Sequence, residues 1–261
     1  MLRLRLFLAP FPTMIVFLGP VGTYSYEAAL LAFGSSVDDT IQAKSLKEVI
    51  ESVAEKRAAA GVLPVENSTN GPVYQALEAL IDIGDSVEIT NEVRVPIKHQ
   101  LYTMETSLSN ISTVFSHSQV WGQSDGWLKT NLPGVKRVDC ESTGKAVEMT
   151  LNTPRTAALA GPSSTSLEAL IPNCADDPYN TTRFLILRTH KTVLPTIKRS
   201  QTVYALVKDT DITTLVSQCK GKLTFLVEKP ATTAWRYDFF VEVTDICALP
   251  EDWIYMGAKD V

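Results

Sequence analysis

An apolar run that ends abruptly against a block of polar residues constrains this chain most. Val62 to Val65 is followed at once by Glu66, Asn67, Ser68, Thr69 and Asn70, and Gly71-Pro72 then opens an amphipathic stretch. This order describes a buried strand that delivers polar side chains to the C-terminal edge of a sheet, with a helix beginning directly after it. The spacing predicts Pro72 in the first helical turn, where its missing N–H costs nothing. Open α/β sheets hold their ligands at that edge. Taken alone, the same residues are equally compatible with a capped turn whose side chains are solvated.

A second stretch repeats the pattern. Ile15 to Leu18 is a short apolar strand, Gly19-Pro20-Val21-Gly22-Thr23-Tyr24-Ser25 follows, and Tyr26 to Phe33 reads as a helix. A glycine turn at a helix N-terminus can hold an anion on backbone N–H groups. Neither a Gly-Lys-Ser/Thr sequence nor a Gly-x-Gly-x-x-Gly fingerprint is present, so a small carboxylate fits better than a nucleotide. A plain βα turn explains this loop equally well when it is read by itself.

Strand and helix signals alternate through the first 190 residues. Ser45–Ala60 reads as a helix, Gly61–Val65 as a strand and Pro72–Ile83 as a helix. Val87–Thr103 reads as one extended segment, and Thr113–Phe115, Val135–Asp139 and Ala157–Ala160 as short strands each followed by a helix-compatible stretch. The class is α/β with parallel sheets.

After a basic, polar linker (191–200), Thr202–Lys208, Leu223–Val227, Arg236–Val243 and Trp253–Gly257 read as strands and Ile212–Gln218 as a short helix. No internal repeat interrupts this order. A net charge of −5 argues against a nucleic-acid partner. Cys140, Cys174, Cys219 and Cys247 are scattered without a C-x-x-C pair, as reduced intracellular thiols would be. His99 and His190 have no partner at metal-ligand spacing, so no metal site is expected. No run approaches the ~20 apolar residues of a membrane span. Residues 1–13 are basic and apolar, but Pro10 and Pro12 spoil a secretory signal, so an upstream extension and a cytoplasmic protein are expected.

Two further stretches complete a set. Val114-Phe115 runs into Ser116-His117-Ser118-Gln119, ahead of a helix carrying Gln123 and Trp127, and Asn180-Thr181-Thr182-Arg183-Phe184 feeds an apolar strand. With Gly19–Ser25 and Glu66–Gly71, these resemble the prephenate dehydratase family. Its marks are a Gly-Pro-x-Gly-Thr-aromatic-Ser opening, a Glu-Asn-Ser loop, a Ser-His-x-Gln helix start and a Thr-Arg-Phe strand start, here in family order over roughly 14–190. Glu141-Ser142-Thr143-Gly144 is similar to the family's Ser-Thr-Ala helix start, with Gly144 where alanine is usual.

The resemblance implies a two-lobed, periplasmic-binding-protein-like unit with its site in the cleft, lobe 1 from 14–94 and 169–190 and lobe 2 from 95–168. It also implies that 201–261 is an α+β ACT regulatory domain and that the protein is a homodimer or a dimer of dimers. Two departures stand out. Asp209-Thr210-Asp211 replaces the family's Gly-Ala-Leu loop, and Glu228-Lys229-Pro230 replaces its Glu-Ser-Arg-Pro. Thr244 to Asp252 is also too short for a second helix, which needs around 10 residues plus turns. The ACT-like domain is therefore read as shortened, and control by phenylalanine as weak or absent.

The implied activity is conversion of prephenate to phenylpyruvate with loss of CO₂ and water, without metal or organic cofactor. The implied proton donor is Thr182, with Asn67 and Gln123 orienting the substrate. Thr23, Ser25, Ser68, Ser116 and Thr143 would hydrogen-bond its carboxylates, and Arg183 would pair with one or serve the fold. His117 reads as structural, and Glu66 as fixing its loop, because a further buried carboxylate would repel a dianion. An arogenate dehydratase differs only in the substrate's side-chain carbon, and a catalytically silent ligand-binding module would use the same scaffold. Retention of Thr182, Asn67 and Gln123 together speaks against the silent module.

Overall fold

A computed structural model describes residues 14–34, 39–189 and 196–260; the N-terminal extension, residues 35–38, His190 with the first half of the linker, and Val261 lie outside them. The chain begins with β1 (Ile15–Leu18), α1 (Tyr24–Phe33), β2 (Thr40–Ala43), α2 (Leu46–Ala54), β3 (Ala60–Asn67), the two-residue β4 (Gly71–Pro72), α3 (Tyr74–Ile83) and β5 (Val87–Pro96). A second lobe follows, with β6 (Gln100–Thr103), β7 (Thr113–Ser116), α4 (Ser118–Asn131), β8 (Lys136–Asp139), α5 (Thr143–Leu151) and β9 (Thr156–Ala160). The chain returns in β10 (Thr181–Thr189). It then builds β11 (Gln201–Thr210), α6 (Ile212–Gln218), β12 (Lys222–Pro230), β13 (Tyr237–Thr244) and β14 (Trp253–Asp260).

The first lobe's sheet runs β5-β10-β3-β1-β2, and the second lobe's runs β6-β9-β7-β8. Both are mixed, which corrects the expectation of parallel sheets. β1 is parallel to β2 and β3, but β10 is antiparallel to both β3 and β5. In the second lobe β7 is parallel to β8 and β9, while β6 is antiparallel to β9. The antiparallel strands are those where the chain leaves for the second lobe and returns from it. The expected single extended segment from Val87 to Thr103 is two strands in two sheets, broken where the chain crosses between lobes. Leu170 and Ile171 bond to Leu101, so the return crossing falls after them, later than residue 169.

Helix boundaries follow local chemistry. Ser45 caps α2, accepting from the Glu48 N–H while the Glu48 carboxylate accepts from Lys44 N–H, a reciprocal box. The helix stops at Ala54 rather than Ala60, because Lys56 takes a left-handed φ of 61° and the Arg57 and Ala58 N–H groups turn back to the Ser52 carbonyl. Pro72 lies outside α3. With Gly71 at φ 77° it folds back onto β3, pairing with Glu66, and the helix starts at Tyr74.

The C-terminal unit is a four-stranded antiparallel sheet in the order β12-β13-β11-β14 with one helix, and no helix stands between β13 and β14. One face, carrying Tyr204, Leu206, Phe240 and Met256, shares a continuous core with Leu77, Leu80, Val87 and Ile89 of the first lobe. The other face packs Val203, Phe239 and Val241 against Leu215 of α6. Fully burying side chains of this size is worth about 1.5–3 kcal/mol each, so the C-terminal sheet is fastened to the first lobe through its apolar face. At the seam between sheets Gly257, at φ 139°, pairs with Ile89. A Cβ there would stand 2.0 Å from the Ile89 carbonyl oxygen, so only glycine admits this approach.

Candidate active site

β3 and β10 run side by side, and their register sets Asn67 opposite Thr182. The Asn67 side chain is fixed on both ends. Its Oδ1 accepts the N–H groups of Thr69 (3.0 Å) and Asn70 (2.9 Å), an Asx turn that explains the polar block after the apolar run. With Oδ1 occupied, Nδ2 donates to Asn180 Oδ1 at 2.7 Å and to Thr182 Oγ1 at 2.9 Å. Because Thr182 Oγ1 accepts from Asn67, its own hydrogen remains to be donated elsewhere.

The chain of amides continues into the second lobe. Asn180 Nδ2 donates to Gln123 Oε1 on α4 at 3.2 Å, and His99 Nε2 lies 2.7 Å from the same oxygen. Gln123 Oε1 thus collects two hydrogens when His99 carries its proton on Nε2, leaving the Gln123 Nε2 hydrogens for another acceptor. His99 sits on the crossing between lobes, is 2% exposed, and its imidazole is lowered from the ordinary value by burial, so it is neutral at pH 7. Its Nδ1 is 3.4 Å from the Tyr24 hydroxyl, which donates to the Lys98 carbonyl at 2.8 Å. Burial raises the Tyr24 hydroxyl and keeps it protonated. The assembly from Thr182 to Tyr24 carries no formal charge at neutral pH.

Of the residues singled out from sequence, Thr182, Asn67 and Gln123 fall into this one network. Asn180, His99 and Tyr24 were missed as site residues. Asn180 could have been found from its place beside Thr181-Thr182, whereas nothing in the spacing of His99 marks it.

The remaining candidates have local partners. Thr23 caps α1, accepting from Tyr26 N–H at 3.3 Å and donating to the Leu18 carbonyl. Ser25 is buried in the first turn of α1. Ser68 ties the loop to β10, its Oγ accepting from Thr181 N–H at 2.9 Å. Ser116 is fully buried and donates to the Leu159 carbonyl at 2.7 Å, holding β7 to β9. Thr143 opens α5 and lies 3.4 Å from Ser164 Oγ, which donates to the Gly22 carbonyl and so joins the second lobe to the β1–α1 loop. His117 caps α4.

Arg183 is not brought into this group. Strand alternation turns it to the opposite face of β10 from Thr182. There it pairs with Glu242 (2.7 Å), Glu66 (3.0 Å) and Glu92 (3.4 Å) and lies over the Phe225 ring. Among the described residues no group of three or more histidine, cysteine or acidic side chains is placed to hold a metal ion. The cysteines are free, and burial pushes the Cys174 thiol up to about 12.

A family model for prephenate dehydratase matches residues 15–192. A bifunctional chorismate mutase/prephenate dehydratase of Aquifex aeolicus is 32% identical over 238 residues, covering 88% of this chain and 65% of that protein. The chain spans about half (48%) of two other bifunctional relatives. Among solved structures, a prephenate dehydratase from Arthrobacter aurescens in complex with L-Phe superposes with a TM-score of 0.81 at 22% identity, over 95% of this chain and 90% of that one. The quorum-quenching acylase GqqA superposes with a TM-score of 0.78 at 21% identity, over 95% and 97%. At such identities the likeness is one of fold, and a fold hosts more than one chemistry.

Proposed function

The chain belongs to the prephenate dehydratase family, and we propose that it converts prephenate to phenylpyruvate. The observation that carries this reading is the Asn67 Nδ2–H to Thr182 Oγ1 bond at 2.9 Å, which commits the threonine oxygen as an acceptor and leaves its hydrogen for a leaving group.

Prephenate is a dianion with a ring hydroxyl that departs poorly. When the ring carboxylate leaves as CO₂, the electrons of the broken C–C bond enter the ring and the ring C–O bond breaks. The departing oxygen needs a proton to leave as water, so each turnover takes up one proton from solvent. Thr182 is the hydrogen-bond donor to that oxygen. A free threonine hydroxyl is a weak acid, and the hydrogen bond from Asn67 polarises it. General-acid assistance is worth ~10²–10⁴ in rate. The rest is left to placement, for which the Gln123 amide is braced by Asn180 and His99. A site built of neutral amides and hydroxyls also avoids repelling the dianion.

Residues 201–261 are read as ACT-like on their element order and on the sheet order β12-β13-β11-β14. β12 is at the end of that sheet, leaving an edge on which a second copy could pair in a homodimer. The test of function is incubation of the purified protein with prephenate and with arogenate, following the ultraviolet absorbance of the aromatic product. Phenylpyruvate from prephenate is expected. Preference for arogenate would move the substrate assignment, and turnover of neither would leave a ligand-binding module.

A further inference from the structure

The charged cluster around Arg183 is on the covered face of the strands whose other face carries Thr182 and Asn67. Arg183 is next to Thr182 on β10, and its partner Glu66 is next to Asn67 on β3, so the two pairs occupy consecutive rungs of one ladder. The other side of the cluster belongs to the C-terminal sheet. Glu242 of β13 is 6% exposed and 2.7 Å from the guanidinium, and Lys259 of β14 is 2.7 Å from Glu92. A cavity of about 340 Å³ beside these groups is lined also by Phe225 and Thr224 of the C-terminal sheet.

We propose that Glu242 is a positioning residue, through which the C-terminal unit holds Arg183, and with it the Thr182–Asn67 rung, in working register. The claim that this rung works on substrate rests on the function proposed above. The coupling itself rests on the geometry. β10 is irregular at this point, because the register with β3 shifts between Arg183 and Phe184. Pairing with β3 is offset there while β10 keeps its register with β5, and the Arg183 side chain is the tie that links this rung to the C-terminal sheet. Burial pushes the Glu242 carboxyl up, and Arg183 pulls it down against the added push of Glu92 and Glu66. Burial would lower the guanidinium, but the carboxylates, Glu242 first, outweigh this and raise it. The guanidinium stays charged at neutral pH, so removing a carboxylate leaves it buried and less compensated, which loosens the cluster rather than trimming a surface pair.

The test compares two contacts between the same units. Asp82 of α3 and Lys229 of β12 form an ion pair that also joins the first lobe to the C-terminal sheet, but on neither strand of the rung. In the full chain, Glu242→Gln is expected to lower kcat on prephenate about tenfold with KM within twofold, and Glu242→Asp to recover part of that loss. Asp82→Asn should leave both constants within twofold. Lys259→Met, which frees Glu92 to compete for Arg183, should act in the same direction as Glu242→Gln but more weakly, and it serves if Glu242→Gln does not fold.

Hydrogen exchange reads the coupling without activity. Amides at residues 66–68 and 181–184 should exchange faster in Glu242→Gln or Lys259→Met and not in Asp82→Asn. If wild type turns over neither prephenate nor arogenate, the proposed function falls while the exchange result still decides the coupling. Equal exchange at those amides in all variants, or the same kinetic loss from Asp82→Asn, would overturn the proposal.

Discussion

Glu66 and Asn67 are neighbours on β3, as Arg183 and Thr182 are on β10, yet the two pairs face opposite environments. The Asn67–Thr182 face is joined to the second lobe by uncharged amides and an imidazole that burial keeps neutral. The Glu66–Arg183 face meets the C-terminal sheet with three carboxylates around one guanidinium. The pleat alone separates them, since successive residues of a strand point to opposite sides. This separation has a chemical consequence. Carboxylates close to a bound dianion would oppose binding, whereas on the covered face they are paired and serve docking. Burial lifts the Glu92 carboxyl, but Lys259, Arg183 and Arg94 together outweigh it and hold the group low.

The comparison breaks most severely at Thr182. Thr182→Ala should lower kcat on prephenate by two to three orders of magnitude (~2.7–4 kcal/mol) with KM little changed, because a leaving-group donor acts mainly in the transition state. Thr182→Ser, which keeps the hydroxyl, should stay within about tenfold of wild type. Steady-state kinetics of both variants checks this, and a Thr182→Ala enzyme within tenfold of wild type would remove the neutral face from the chemistry.

On the other face the most sensitive point is the seam rather than an ion. Gly257→Ala combines a φ of 139° with a Cβ only 2.0 Å from the Ile89 carbonyl oxygen, so the two sheets must part. A loss of about 2–3 kcal/mol is expected in denaturant unfolding. A wild-type midpoint would mean that the seam has no part in stability.

Much of the neutral face was legible because the motifs that carry the family resemblance are short and local. Asn67 and Thr182 lie within such motifs and Gln123 just after one, and it is the resemblance, not the local pattern alone, that singles them out. The charged face could not be read this way. Arg183 meets Glu242 and Glu66 across separations of 59 and 117 residues; the first pairing follows from the docking of the C-terminal sheet and the second from the β3–β10 register, and neither is visible to periodicity. For the same reason sequence leaves Arg183 open between a substrate carboxylate and the fold, and reads β5 and β6 as one segment. Antiparallel return strands look like parallel ones until their neighbours are known. His99 illustrates the limit within the site itself, since its value lies in Gln123 and Tyr24, which reach it only through the fold.

The imidazole at the crossing between the lobes titrates. His99 has a folded-state value below the ordinary imidazole value of 6.5, because burial disfavours its charged form. A depressed value means stability that is present above 6.5 and is lost as pH falls from there toward the folded value, by at most ~1.4 kcal/mol per pH unit. Unfolding midpoints measured between pH 7.5 and pH 5 should therefore fall on acidification, and His99→Gln should flatten that fall. A wild-type slope retained in His99→Gln would assign the titration to another group.

The smallest expected effect is that of phenylalanine. On the ACT-like reading proposed above, the loop after β11 would have to offer free backbone N–H groups to a carboxylate, and that loop is already engaged. Asp209, at φ 43°, gives its N–H to the Asp238 carboxylate at 2.8 Å. Asp211 caps α6, accepting from Thr214 N–H at 2.9 Å and from the Thr214 hydroxyl at 2.7 Å. These bonds hold its carboxyl below the usual range, so the loop is anionic at neutral pH. Arg236 is nearby but donates to the Asp209 carbonyl, with its side-chain charge already shared between Asp209 and Asp211. An incoming amino-acid carboxylate would meet two like charges and would have to displace Asp238 to find a donor. Calorimetric titration of the full chain should accordingly give a dissociation constant weaker than about 1 mM (−4.1 kcal/mol), and assays at that concentration should show no inhibition. Micromolar binding with inhibition would mean that the loop rearranges to release its N–H groups. The C-terminal unit would then act on the rung through an effector as well as through Glu242.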